Sequence, residues 1–295
     1  MKISNFFLVL LMSLLTISVA AQPRGQRNRR PPRLQNEQRP PLKVDSAFAA
    51  LFEAHSQNLK GFDLPYRVAA IGDVENRWSS EGRDQACLNF AESRQRKPLG
   101  NQSPMLVVYL HGRSASGKDN LKQLAKEGVH SLYGFLEKNG ASAYLLVPQC
   151  PDNRRWNERE KNGWQMSAVV KQVLDDFIMS HGVDPHRVFI FGDSMGGAGV
   201  SRMLNDYNDY FAAAMIAASV PRGVSAGKVC KTPLCYVVGT DDDVVNSGDT
   251  KKMMKSLQKK KADLRYELLE GKTHQQTCRE AFTDERIEWV LNHTR

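Results

Sequence analysis

The sequence predicts an α/β domain over residues 44–295, built on a mostly parallel central sheet with helices on both faces and without a large lid domain. Three observations carry this expectation. From Pro104 onward, short apolar runs alternate with segments of helical spacing, the pattern of a sheet wrapped by its connections. The runs are nearly continuous in apolar residues, as strands buried on both faces require, rather than alternating as half-exposed strands would be. Finally, a stretch of roughly 250 residues without internal repeats suits one large domain.

In chain order, LPYRVAA (64–70) reads as a strand at the antiparallel edge that such sheets often carry, and VENRWSSEGRDQACLNFAESRQRKPLGNQ (74–102) as a long connection. Six buried strands follow: MLVVYL (105–110), SAYLLVP (142–148), RVFIFG (187–192), FAAAMIAAS (211–219), PLCYVVG (233–239) and LRYELLE (264–270). Segments 121–140, 164–182, 197–210 and 248–262 show helical periodicity. The second of them puts Met166, Val169, Val170, Val173, Leu174, Phe177 and Ile178 on one stripe and Lys171, Asp175 and Asp176 on the other. A last helix over 283–293 takes Thr283 as its N-cap. The connection between the fourth and fifth of the six buried strands is short, where lipase lids are usually inserted, so the site is expected to be open.

Ahead of this domain, residues 1–21 carry one lysine, an apolar stretch from Phe6 to about Val19 and small residues at Ala20 and Ala21, the features of a cleaved signal peptide. The apolar part is shorter than the roughly 20 residues of a spanning helix. Export to the periplasm or medium is therefore expected. Residues 22–43, dominated by arginine and proline, read as a disordered linker. The formal charge of +9 is concentrated there, because 33 basic and 31 acidic residues remain from 44 onward, a net of +2. The basicity thus indicates a tether with weak contact to an anionic envelope surface, or a solvated linker, and no nucleic-acid partner. Five cysteines (Cys87, Cys150, Cys230, Cys235, Cys278) allow at most two bridges, and their spacing completes no four-ligand metal set. No cofactor is called for.

Functional groups of an open α/β sheet gather at the carboxyl ends of its strands. Ser194 stands there within Gly192-x-Ser194-x-Gly196, where a nucleophile on a strained strand-to-helix turn needs small flanking residues. A serine hydroxyl needs a histidine as base, oriented by a carboxylate. Two later strands end in Thr240-Asp241-Asp242-Asp243 and in Gly271-Lys272-Thr273-His274, in the chain order nucleophile, acid, base. Of the seven histidines, His274 alone follows a strand after the serine; spacing leaves the choice among the three aspartates open. The N–H of Met195, opening the helix after the serine, and the N–H of Arg113, in the His111-Gly112-Arg113 loop, are the candidate oxyanion donors. The same loop lacks a P-loop pattern, since Asp119 follows Lys118. Gln149, Trp156 and Trp164 are candidates to line the pocket, because the loop after LLVP opens at the same sheet edge, and packing under that loop is the competing role expected for each tryptophan.

YLHGRSASGKDN, LLVPQCP, VDPHRVFIFGDSMGGAG, YFAAAMIAAS, VVGTDDDVVN and GKTH, in this order, resemble the secreted α/β-hydrolases grouped with polyhydroxybutyrate depolymerases, feruloyl esterases and related predicted peptidases. The resemblance covers Pro104 to Arg295 and implies the α/β-hydrolase fold, Ser194 as nucleophile, His274 as base and Asp242 as the acid. Asp243 stands where proline is usual in that family. Asp193 precedes the serine where an uncharged residue is more common, and is expected to bias the site against anionic substrates. The function expected is hydrolysis of small or carbohydrate-linked esters through an acyl-enzyme. A serine peptidase on the same fold is one alternative, and a non-catalytic envelope-binding protein the other.

Overall fold

The computed structural model describes residues 42–59, 61–72, 74, 103–245 and 247–295. The expected signal peptide (1–21), nearly all of the expected linker and of the 74–102 connection, and Cys87 lie outside the described residues. Leu42 to Arg295 forms one compact unit.

Eight strands make one sheet: β1 Glu53–Leu59, β2 Phe62–Ile71, β3 Met105–Leu110, β4 Ala143–Pro148, β5 Val188–Asp193, β6 Ala213–Ala217, β7 Leu234–Gly239 and β8 Leu264–Leu269, in the order β1-β2-β4-β3-β5-β6-β7-β8. β1 and β2 pair antiparallel, as do β2 and β4; every pairing from β4 to β8 is parallel. The 64–70 run is therefore antiparallel as expected, but it is covered by β1, whose polar sequence EAHSQNL suits an exposed edge and gives no apolar signal.

Strand pleating sends alternate side chains to two separate cores. Leu106, Val108 and Leu110 pack with the apolar stripes of α3 (Met166–Ser180), α4 (Met195–Asp206) and α6 (Ser247–Lys259). Met105, Val107 and Tyr109 pack on the opposite face with α1 (Ser46–Ala50), α2 (Glu127–Lys138) and α8 (Asp284–Leu291). All seven residues of the stripe expected in α3 are buried. α4 begins at Met195, directly after Ser194, two residues earlier than the periodicity suggests. Thr283 does occupy the N-cap of α8 but gives no side-chain cap bond. Between β6 and β7 the chain carries only the four-residue helix α5, Ala226–Val229, so no lid is inserted there. Cys150, Cys230, Cys235 and Cys278 are free thiols.

Candidate active site

The turn between β5 and α4 places Ser194 at φ 52° and ψ −114°, a left-handed-side conformation that a serine adopts only under constraint. Two contacts impose it. The Ser194 N–H donates to Ala217 O at 2.9 Å, prolonging the β5–β6 pairing past the strand end. The start of α4 then crosses β3 so closely that a Cβ at position 196 would lie 1.7 Å from Leu110 O, and one at 192 would lie 2.7 Å from the Gly196 carbonyl carbon. Both outer glycines of the motif are therefore steric requirements.

His274 is the first residue of a seven-residue helix, α7 (His274–Glu280), that the periodicity did not announce. Thr273 caps it, accepting from the Gln276 N–H while the Gln276 side chain accepts from the Thr273 N–H. The imidazole Nε2 lies 2.9 Å from Ser194 Oγ, and Nδ1 lies 2.9 Å from Asp242 Oδ2 and 3.1 Å from Oδ1. A carboxylate at Nδ1 fixes the proton there and leaves the Nε2 lone pair facing the serine hydroxyl.

Of the three consecutive aspartates, Asp242 alone reaches the imidazole. Its side chain is 1% exposed, and Oδ1 also accepts from the N–H groups of Val244 at 2.9 Å and Val245 at 2.7 Å. Burial raises the carboxyl pKa, but the hydrogen bonds from His274 and these two amides outweigh it and hold Asp242 below the usual carboxylate range. Asp241 and Asp243 are exposed. The loops carrying acid and base are tied together by Thr240 N–H to Leu269 O at 3.0 Å and Asp241 N–H to Lys272 O at 3.2 Å.

The Gly112 loop lies against the serine: a Cβ on Gly112 would stand 3.4 Å from Ser194 Cβ. Among the described residues the N–H groups of Met195 and Arg113 have no hydrogen-bond acceptor. His111 directs the second of them. The Cys150 N–H donates to His111 Nε2 at 3.0 Å, so the proton sits on Nδ1 and is donated to Gly112 O at 2.7 Å. In a trans peptide the N–H points opposite to the C=O, so fixing the Gly112 carbonyl aims the Arg113 N–H away from the ring. Desolvation lowers the His111 pKa to about 4, against smaller raising effects from the Gly112 carbonyl and Asp193. A neutral histidine held this low favours the unfolded chain once protons bind there and not to the native state. Stability should therefore fall as pH drops from about 6.5 to about 4, by roughly 3 kcal/mol in total from this group. Urea unfolding at stepped pH should show that slope in the wild type and not in His111→Gln.

Gln149 does not line an open pocket, and Trp156 takes the packing role instead: both are buried beneath the loop. Gln149 braces it, donating to Ala115 O at 3.2 Å and Asp119 Oδ1 at 2.9 Å and accepting from the Asn120 N–H at 2.7 Å. Trp156 donates to His111 O at 2.9 Å and packs edge-on against that ring. Trp164 packs at a tilt against Phe62 of β2, under the Arg154 guanidinium. Asp193 also differs from expectation, because it is 1% exposed and turned away from the substrate side toward Tyr109 and Lys126. Its charge is compensated inside the protein and does not meet the substrate. Among the described residues no group of three His, Cys, Asp or Glu side chains is gathered for a metal ion.

Among curated proteins none matches the chain. Solved structures share its fold: a thermostable esterase superposes with a TM-score of 0.67 at 23% identity, over 84% of this chain and 64% of the other, so the chain spans less than two thirds of that protein's length. An S-formylglutathione hydrolase from Agrobacterium tumefaciens superposes at 0.56 with 14% identity over 86% and 99% of the two chains. A ferulic acid esterase does so at 0.56 with 13% identity over 82% and 98%. These likenesses establish the α/β-hydrolase architecture. The model of the dienelactone hydrolase family matches residues 116–288, more than half of the chain and inclusive of Ser194, Asp242 and His274. The chain belongs to the dienelactone hydrolase family.

Proposed function

We propose that the protein cleaves carboxylic esters by acyl transfer to Ser194. The observation that carries this reading is the unbroken hydrogen-bond chain from Ser194 Oγ through the His274 ring to Asp242, with both links at 2.9 Å. His274 Nε2 takes the hydroxyl proton as Oγ bonds to the carbonyl carbon, and the oxyanion so formed is met by the N–H groups of Met195 and Arg113. Collapse of the intermediate breaks the ester C–O bond, and the imidazolium gives its proton to the leaving alcohol. Water then repeats the sequence on the acyl-enzyme and releases the acid. Asp242 keeps the ring in the productive tautomer and offsets its positive charge.

The substrates proposed are small esters or acyl groups on carbohydrate, because the β6–β7 connection carries only α5 above the strand ends and leaves the serine open to a bulky alcohol. The proposal also places the enzyme in the periplasm or outside the cell, with residues 22–43 as its tether. The test is intact-mass analysis after treatment with a fluorophosphonate, followed by a panel of soluble esters and a triglyceride emulsion. One adduct, absent from Ser194→Ala, and hydrolysis of soluble esters without activation at the emulsion surface are expected. Absence of any adduct on folded protein would instead favour the binding-protein alternative, and activation at the emulsion would point to a lipase.

A further inference from the structure

A charged cluster lies behind the Gly112 loop and takes no part in the relay. Asp193, the residue before the serine, accepts at Oδ1 from Tyr109 Oη at 2.7 Å and from the Gly112 N–H at 2.9 Å, while Lys126 Nζ lies 3.4 Å from Oδ2. Tyr109, Asp193 and Lys126 are all buried. A buried carboxylate is retained only where its partners compensate its desolvation, and here a cation, a hydroxyl and an amide do so. Burial opposes the Lys126 charge, but Asp193, with smaller help from Cys278 and Glu127, outweighs it and raises the ammonium pKa, so Lys126 stays charged beside the carboxylate. Burial also pushes the Tyr109 phenol well up, leaving its proton available to Asp193.

This cluster completes the hold on the oxyanion loop. His111 fixes the Gly112 carbonyl from one side, and Asp193 fixes the Gly112 N–H from the other. The two peptides flanking Gly112 are therefore both oriented. Contact is close enough that a Cβ on Gly112 would fall 2.7 Å from Asp193 Oδ2. A single residue step thus links the nucleophile, at 194, to the anchor of the loop that supplies the second oxyanion donor.

We propose that Asp193 is the positioning residue of the oxyanion hole: by accepting the Gly112 N–H it sets the 112–113 backbone against the serine and keeps the Arg113 N–H aimed at the developing oxyanion. The proposal rests on the acyl-transfer reading of Ser194. It predicts that the acceptor atom at position 193 matters, and the net charge of the pair does not.

Two double variants isolate that atom. Asp193→Asn/Lys126→Met and Asp193→Ala/Lys126→Met both remove the ion pair, but only the first keeps an oxygen for the Gly112 N–H. With rates normalised to fluorophosphonate-titrated sites, the alanine double should lose about 10²-fold in kcat, the order of one oxyanion donor, with KM within about three-fold. The asparagine double should recover kcat to within about five-fold of wild type. Equal kcat in the two doubles would overturn the proposal. Should the alanine double not fold, amide exchange in the wild type decides: slow exchange at Gly112 with fast exchange at Arg113 supports it, and equal rates overturn it. A fluorophosphonate adduct that survives Ser194→Ala would defeat the acyl-transfer reading itself, whereas loss of that adduct with equal doubles would defeat only the role of Asp193.

Discussion

Asp242→Asn is expected to slow ester turnover by about 10⁴-fold, the order seen when a buried aspartate of a serine, histidine and aspartate set becomes an amide in other enzymes. The cause lies in the tautomer. Asp242 takes the Nδ1 proton of His274 and is itself locked by the Val244 and Val245 amides donating to Oδ1. With Oδ1 so engaged, an asparagine would turn its amide nitrogen toward Nδ1. The ring would then carry its proton on Nε2 and could not receive the one from Ser194. Asp241→Asn and Asp243→Asn change exposed side chains with no contact to the ring and should leave turnover within about two-fold, as surface changes generally do. Steady-state kinetics of the three variants on one soluble ester checks the ranking. Comparable losses in all three, or a loss at Asp241 alone, would reassign the acid.

How far the sequence discloses these arrangements depends on what each residue is buried against. β3 to β7 are legible because both faces of each strand are covered, which leaves an uninterrupted apolar run. β1 is not, because its edge position lets polar residues fill both faces and removes the periodic signal. α7 is hidden for another reason: HQQTCRE is too short for an apolar stripe, although Thr273 with Gln276 three residues later does fit the capping-box pattern that would have marked its start. The relay residues were readable as strand-end positions in a fixed chain order, but the choice among three adjacent aspartates needed the turn after β7 to aim one of them inward. Depth was the quantity that no local pattern carried. Gln149 and Trp156 sit at the expected sheet edge yet one layer below the surface, holding the His111 loop. Asp193 points into a cluster whose other members, Tyr109 and Lys126, are distant in sequence and had no reason to be grouped.

Gly196→Ala is expected to be among the most damaging single changes in the chain, with a loss of at least about 4 kcal/mol of stability or no recoverable folded protein. The added Cβ would lie 1.7 Å from Leu110 O, 2.4 Å from Leu110 C and 3.0 Å from His111 O. All three are backbone atoms at or just past the end of β3, where Leu110 is paired to Gly192 of β5, so no side-chain rotation relieves the overlap. Either α4 withdraws from the sheet or β3 bends, and both movements displace Ser194 and the Gly112 loop together. Gly134→Ala provides the contrast within the same fold. Gly134 lies inside α2, and nothing stands within 4 Å of its would-be Cβ. That substitution should stabilise the protein by about 0.5–1 kcal/mol, through helix propensity and a less flexible unfolded chain. Thermal unfolding of the two variants, paired with fluorophosphonate labelling, separates the effects: the Gly134 variant should label like wild type and melt higher. A Gly196 variant that melts normally and labels normally would show that the approach of α4 to β3 is looser than these distances require, and with it the steric reason for glycine after the serine.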